Sequence, residues 1–359
     1  MCNTDADRSN IESRIVSLVG TWSAMPQEAP MPDACRHIME AVTRQAISSS
    51  EGGKRLRALL VLAAYDAFGG AGDARDAMLD VACALEVFQT AALVHDDIID
   101  DSDLRRGKPS AHRALEQSTG SAAIGRGLGL MLGDLLATVC IDIADEAAAR
   151  LPRAAAMTSA FLNMQREVEI GQILDLAVEQ APLQDAEALA DASLNVFRWK
   201  TASYTTIAPI ELALLGCGLA PQQAREQAMA IGRPLGLAFQ LEDDLIDVIG
   251  SSRTTGKPVG GDIREGKRTV LLADAIASAA PAEQRELIGM FEADSRSESD
   301  VSRAIELFVS TGAVERSRRR IEALWNEAAQ AVRDCGLGKS RETDLLTACA
   351  RFVPDITRS

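Results

Sequence analysis

At 359 residues the chain is long enough to bury a sizeable core, as one large domain or two ordinary ones. Its 52 acidic against 37 basic residues give a net charge of −15 and a pI near 4.8, which argues against nucleic acid as a partner, since that surface needs a basic stripe, and leaves room only for local basic sites. Aromatics are 4%, Ala and Leu dominate, and strand-type alternation is scarce, so the composition points to an all-α protein.

Residues 1–30 end in the Pro-containing stretch MPQEAPMPDA and read as a weakly ordered lead-in with one short helix, ahead of a single domain over 31–359. The polar, acidic start lacks the layout of a signal peptide. Cys35 to Ser48 reads helical, SSSEGGKRLR follows as a loop, and RALLVLAAYDAF (57–68) is apolar almost all round, as in a helix buried inside a bundle. Asp76 to Asp101 contains neither Gly nor Pro and predicts one long helix.

That helix ends in LVHDDIIDDSDLRRGKPSAH (93–112), where five aspartates fall within eight residues. Asp96 and Asp100 stand at i,i+4, as do Asp97 and Asp101, and like charges at that spacing repel. Carboxylates at a helix C-terminus also oppose the macrodipole, and a bound cation offsets both costs. RRGKPSAH then reads as a loop.

Further helices are predicted at about 126–148, 152–178 and 184–216, the last kinked by Pro209. Arg225 to Ile249, bent at Pro234, carries a second Asp-Asp-x-x-Asp at Asp243, Asp244 and Asp247 within GLAFQLEDDLIDVIG. A charged, Gly-rich loop, SSRTTGKPVGGDIREGKRT, comes next, and more helices reach about residue 337 with a connector at 294–300. No run of eighteen apolar residues occurs, because Arg126 and Asp134, or Pro209 and Glu211, interrupt the candidates; no membrane span is expected. The seven scattered cysteines form no CxxC pair and read as reduced thiols of a cytoplasmic protein.

Two carboxylate clusters on the polar ends of apolar helices predict a pair of sites facing one cavity. Mg²⁺ is bound in this way, by a few carboxylates together with substrate phosphates. Each cluster is followed by basic residues that complement phosphate oxygens: Arg105, Arg106 and Lys108 after the first, Lys257, Arg264, Lys267 and Arg268 after the second. Lys54, Arg55 and Arg57 behind Gly52-Gly53 form a third group at a helix start, and Lys200-Thr201 is a further candidate. A diphosphate substrate is therefore expected. Gly261 to Arg268 nearly fits a phosphate loop, but Arg268 stands where Ser or Thr must be, and no strand precedes it.

EGGKRLR, LVHDDIIDDSDLRRGKPSAH, GQILDL (171–176), Lys200-Thr201, GLAFQLEDDLID and GKPVGGDIREGKRT together resemble, in order and spacing, the trans-isoprenyl diphosphate synthases. The resemblance implies a large antiparallel helical bundle around a deep central cavity, a homodimer, and condensation of isopentenyl diphosphate with an allylic diphosphate of C5 to C15. It also implies about three Mg²⁺ ions per active site, with Mn²⁺ as a substitute. Carried over by position, Asp96, Asp97, Asp100, Asp243, Asp244 and Asp247 hold the metal on the allylic diphosphate, with Arg105, Lys200 and Lys257 completing that site. Lys54, Arg57 and Arg106 bind isopentenyl diphosphate, which Gly53 lets approach the backbone; Thr201 and Gln240 face the allylic carbocation.

Two positions depart from the family pattern. Gln89 stands where many members have a histidine touching isopentenyl diphosphate, and Ala58 replaces a frequent proline. In the family the side chains one or two turns before the first aspartate cluster tend to set the cavity floor; here Ala91 and Ala92 are small, so the resemblance implies a floor at Phe88, about 4.5 Å deeper at 1.5 Å per residue. That favours a geranylgeranyl (C20) product over C15 or over C25 and longer. A regulatory subunit has no need of both aspartate motifs, and a terpene cyclase has no need of the GGKRLR site.

Overall fold

In a computed structural model the described residues, 4–25, 31–250 and 259–354, are helical apart from loops and one two-stranded hairpin. Lys257 lies outside them. The chain divides into two compact units, residues 1–162 with 209–224 and residues 163–208 with 225–359.

The first unit begins with a helix of 19 residues where a weakly ordered lead-in with one short helix was expected. Helix α1 (Thr4–Trp22) buries Ile11, Ile15, Leu18 and Val19 at i,i+4,i+7,i+8 spacing, and this apolar stripe orders it. Helix α2 (Asp33–Ser50) packs on α1, and α3 (Leu56–Ala67) is buried along ten of its twelve residues. Helix α4 (Arg75–Ile99) is the core of the unit, with an unbroken buried run from Val81 to Phe88.

A hairpin of β1 (Leu104–Arg105) and β2 (Lys108–Pro109) replaces the expected plain loop. Its two turn residues, Arg106 and Gly107, have φ of 54° and 76°, the pattern of a type I′ turn. Helix α5 (Ala111–Thr119) and α6 (Ala122–Ala148) follow. Gly129 and Gly133, one helical turn apart on α6, give it close contact with its neighbours: a Cβ there would meet His112 at 2.7 Å and His95 at 2.3 Å.

Helices Gly72–Ile99 and Ala122–Ala148 are long and apolar enough to cross a membrane by length and composition. The apolar window of the first is 78% buried, as in a core helix; that of the second is only 44% buried.

The second unit takes in α7 (Ala154–Val178) from Asn163 onward, then α8 (Ala186–Val196). The expected kink at Pro209 takes another form. Residues Phe197–Ile207 wind as a π-helix before α9 (Ala208–Gly216), and the Ala208 N–H reaches back five residues to the Ser203 carbonyl. A proline lacks the N–H that would bond the carbonyl four residues back and clashes with it, so a widened turn before Pro209 relieves both problems.

Helix α10 (Pro221–Ile249) belongs to this unit from Arg225 and contains Pro234. A short helix α11 (Gly261–Glu265) leads to α12 (Val270–Ser278), a buried hub packed on α8 and on α15 (Ala313–Asp334). Around it, α13 (Pro281–Glu292) and α14 (Glu298–Ser310) complete a core that includes Leu287, Phe291, Leu307 and Phe308. Helix α16 (Lys339–Ala350) closes the chain, and beyond it Phe352 packs edge-on against Phe239 of α10 at 5.6 Å.

Candidate active site

In the first unit the aspartates divide into two sets. Asp101 and Asp103 are taken by arginines: Arg113 donates to both, and Arg126 donates to Asp101. Asp96, Asp97 and Asp100 occupy the last turn and C-cap of α4, with Asp97 buried, Asp96 half-buried and Asp100 exposed. Arg105 on the hairpin points its guanidinium back at Asp97, Nε donating at 2.9 Å and a second nitrogen reaching the same oxygen. Burial pushes the Asp97 carboxyl up, against the pull of Arg105, and the net is above the usual aspartate value.

The Glu51–Arg55 loop lies across from the hairpin. Gly52 and Gly53 have φ of 74° and 99°, backbone that a side chain would strain, and a Cβ on Gly53 would stand 3.1 Å from the Arg106 guanidinium. Arg106 donates to the carbonyls of Glu51 and Gly52 at 2.8 and 3.1 Å. Burial, followed by the neighbouring charge of Arg55, lowers the pKa of Arg106. Gly52, Gly53, Asp97, Arg105, Arg106 and Lys108 are part of the wall of one cavity of about 370 Å³.

Lys54, exposed, and Arg57, buried, stand at the start of α3 and Gln89 is half-buried on α4; none of the three is in that wall. Phe88 and Ala91 are buried at 2% and 1% exposure, and Ala92 is half-buried. His95 pairs with Asp134 of α6, and His112 is buried against the Ser110 hydroxyl.

Arg55, grouped with the phosphate-binding candidates by sequence, has a different task. It is buried, with its fork on Glu12 and a further bond to Glu86, itself buried; Glu86 also accepts the Ala58 N–H at the head of α3. Neither glutamate is part of any motif, and no local pattern could have exposed them.

In the second unit the π-helix presents Lys200 and Thr201. Gly171 of the GQILDL motif lets α7 approach so closely that a Cβ would sit 2.1 Å from the Lys200 nitrogen, and Asp175, one turn on, accepts from Lys200 Nζ at 2.5 Å. On α10, Gly232, Gly236, Gln240 and Asp244 recur every fourth residue and so share one face. The two glycines meet Ile207 and Ala202 at backbone distance. Further along the same face, Thr201 Oγ1 donates to Gln240 Oε1 at 2.9 Å and Gln240 Nε2 donates to Asp244 Oδ1 at 2.8 Å. Sequence reasoning missed this seam; the Gly232-x-x-x-Gly236 spacing is the signal that could have found it.

Asp243 is exposed, whereas Asp244 is buried. Burial, with Asp262 nearby, holds the Asp244 carboxyl well above the usual range, and its second oxygen is buried with no hydrogen-bond partner. Asp247 is a loop anchor: its two oxygens accept the backbone N–H groups of Gly261 and Asp262 at 3.1 and 3.0 Å. Asp262 and Lys267, 3.4 Å apart, line a hollow of about 10 Å³ with Asp244.

Among the described residues no three His, Cys, Asp or Glu side chains converge into a closed metal cage. The donor set nevertheless fits Mg²⁺, which takes hard oxygen ligands and completes its shell with water and substrate phosphates. The unpartnered, buried Asp244 oxygen is of the kind that such a cation satisfies.

The polyprenyl synthetase family model matches residues 37–308. A short chain isoprenyl diphosphate synthase of Methanothermobacter thermautotrophicus is 33% identical over 74% of this chain and 75% of that protein. A geranylfarnesyl diphosphate synthase of Aeropyrum pernix is 32% identical over 75% and 79%. Among solved structures, geranylgeranyl pyrophosphate synthase from Corynebacterium glutamicum, complexed with isoprenyl diphosphate and magnesium, superposes with a TM-score of 0.81 at 30% identity, covering 98% of this chain and 99% of that one. With its aspartate helices, glycine loop and arginine hairpin inside the matched segment, the chain belongs to the polyprenyl synthetase family.

Proposed function

We propose that the chain is a chain-elongating prenyltransferase that joins isopentenyl diphosphate head-to-tail to an allylic diphosphate, with geranylgeranyl diphosphate as product. One observation carries the reading: a single cavity wall holds a buried carboxylate, two arginines and a glycine loop, the groups that a diphosphate and its counter-ion require together. Asp96, Asp97 and Asp100 with Asp243, Asp244 and Asp247 would hold Mg²⁺, which would supply positive charge to the allylic diphosphate as its C–O bond ionises.

The chain's own residues do the rest. Arg105 and Lys200, with Lys257, bind the allylic diphosphate, and each of the first two is already aimed by a carboxylate, Asp97 and Asp175. Lys54, Arg57 and Arg106 take isopentenyl diphosphate, with Gln89 donating a hydrogen bond. Thr201 and Gln240 place oxygen atoms toward the carbocation, and the departing diphosphate accepts the final proton.

A homodimer fits the half-exposed face of α6, where Ile124, Leu128, Met131 and Leu135 follow each other at helical spacing and Ile124 and Met131 are 50% and 54% exposed. The six described cysteines are free thiols, as suits a cytoplasmic enzyme. The reading is tested by incubating the purified chain with labelled isopentenyl diphosphate, Mg²⁺ and each of the C5, C10 and C15 allylic diphosphates, followed by chain-length analysis. Elongation to C20 supports it, and no elongation from any primer refutes it.

A further inference from the structure

The Glu51–Arg55 loop is held in an unusual way. Each carbonyl from Ser50 to Gly53 accepts from a guanidinium: Ser50 from Arg55 at 2.6 Å, Glu51 and Gly52 from Arg106, and Gly53 from Arg8 at 3.0 Å. Three residues of the loop have positive φ, including Arg55 at 54°, a strained conformation that a non-glycine residue keeps only where its surroundings impose it. What imposes it comes largely from α1. Glu12 grips Arg55 with both oxygens at 2.8 and 2.7 Å, while Arg8, one turn earlier, grips Gly53.

Helix α1 lies ahead of the segment matched by the family model, which begins at residue 37. Its docking does not depend on the loop alone. Asp7 binds Arg75, Arg14 binds Asp80, and four apolar side chains are buried. Arg8 and Glu12 are therefore two contacts on a helix that is anchored elsewhere, and both end on the loop.

We infer that Arg8 and Glu12 are positioning residues, through which the N-terminal helix sets the Glu51–Arg55 loop in the shape that takes isopentenyl diphosphate. The inference rests on the proposed function. Without Glu12, the Arg55 fork loses its anchor and the strained backbone relaxes, moving Gly53, Lys54 and the carbonyls that hold Arg106. The isopentenyl diphosphate subsite loosens while the allylic groups, Asp96, Asp97 and Arg105, keep their own contacts.

The experiment is steady-state kinetics of the full chain as wild type, Glu12→Gln and Asp7→Asn, with each substrate varied at saturation of the other. Asp7→Asn is the control, since its partner is Arg75 on the same helix docking surface and not the loop. Glu12→Gln is expected to raise the isopentenyl diphosphate KM about tenfold, with kcat and the allylic KM within about twofold, because displacement of a positioned group by a fraction of an ångström costs roughly that much. Asp7→Asn is expected to leave all three within about twofold. Equal effects in the two variants, or a Glu12→Gln change confined to kcat or shared by both KM values, overturn the inference. If Glu12→Gln loses helicity by circular dichroism, Arg8→Ala decides instead: Arg8 is exposed, and an unchanged isopentenyl diphosphate KM overturns the inference. A wild-type chain that elongates nothing overturns the proposed function itself, a result distinct from all of these.

Discussion

Gly236→Ala tests the seam that aligns Thr201, Gln240 and Asp244. The added Cβ would lie 2.4 Å from Ala202 Cβ, 2.6 Å from its Cα and 2.6 Å from Thr206 Oγ1. Carbon atoms rest at roughly 3.5–4.0 Å, so α10 and the π-helix must part by about 1 Å. One turn along, the 2.9 Å bond from Thr201 to Gln240 then stretches beyond hydrogen-bond range. Overpacking costs about 1–3 kcal/mol and the lost bond about 0.5–1.5 kcal/mol, together about 2–4 kcal/mol. At about 2 °C per kcal/mol for a chain of this size, the unfolding midpoint should fall by about 4–8 °C. Turnover should drop about tenfold as Gln240 shifts. Differential scanning fluorimetry and an elongation assay measure the two effects. Gly289→Ala is the control, a helical glycine with nothing within 4 Å of its added Cβ, and it should be neutral or stabilising by up to about 1 kcal/mol. A Gly236→Ala protein with the wild-type midpoint and turnover would show that the seam has slack and does not align the three residues.

Other outcomes follow from single sites. Asp96→Ala and Asp243→Ala should each lower turnover by about 100-fold or more at saturating Mg²⁺, since each removes a carboxylate from the proposed metal set; normal turnover in either rejects that residue's role. Phe88→Ala should lengthen the product and Ala91→Phe shorten it by chain-length analysis, the first at a stability cost of about 3–5 kcal/mol because Phe88 is 2% exposed; an unchanged product from both shows that Phe88 is not the floor. Asp80 is buried between Arg14 and Arg150; burial pushes its carboxyl up, but the two hydrogen-bonded arginines outweigh this and the net is below the usual value. Its stabilisation is therefore present above the unfolded aspartate pKa of about 3.9 and is lost as pH falls through the lower folded value. Asp80→Asn should cost about 1–3 kcal/mol near neutrality, discounted for the half-exposed arginines, and the difference from wild type should shrink in unfolding curves recorded below about pH 4; a constant difference would mean that packing rather than charge is at stake.

The parts of the molecule legible in the sequence were those written along one helix or one loop. The long buried α4 with its aspartates, the arginines after it, the second Asp-Asp-x-x-Asp on α10 and the glycine loop all follow from spacing and composition. The parts that were not legible depend on partners distant in the chain. Arg55 reads as one more phosphate ligand until Glu12, 43 residues earlier, and Glu86, 31 residues later, are seen to hold it. Asp247 looks equivalent to Asp243 until the Gly261 and Asp262 N–H groups are found on its oxygens. Pro209 signals a break, yet whether the chain answers with a kink or a widened turn depends on what packs against it. Residues 4–22 look weakly structured because their burial lies on a surface that only the folded chain provides.

The type I′ turn at Arg106-Gly107 makes neighbours in sequence into strangers in space. Arg105, before the reversal, reaches back to Asp97 on α4; Arg106, within it, reaches over to the Glu51 and Gly52 carbonyls. On the proposed function two adjacent codons would thus serve the two substrates, and what separates their contacts is the phase of the bend rather than the chemistry of either side chain. Inserting or deleting a single residue between Asp103 and Arg105 would shift the register by one, moving one guanidinium into the other's place and the other out of both, so this short stretch should tolerate changes of letter far better than changes of length.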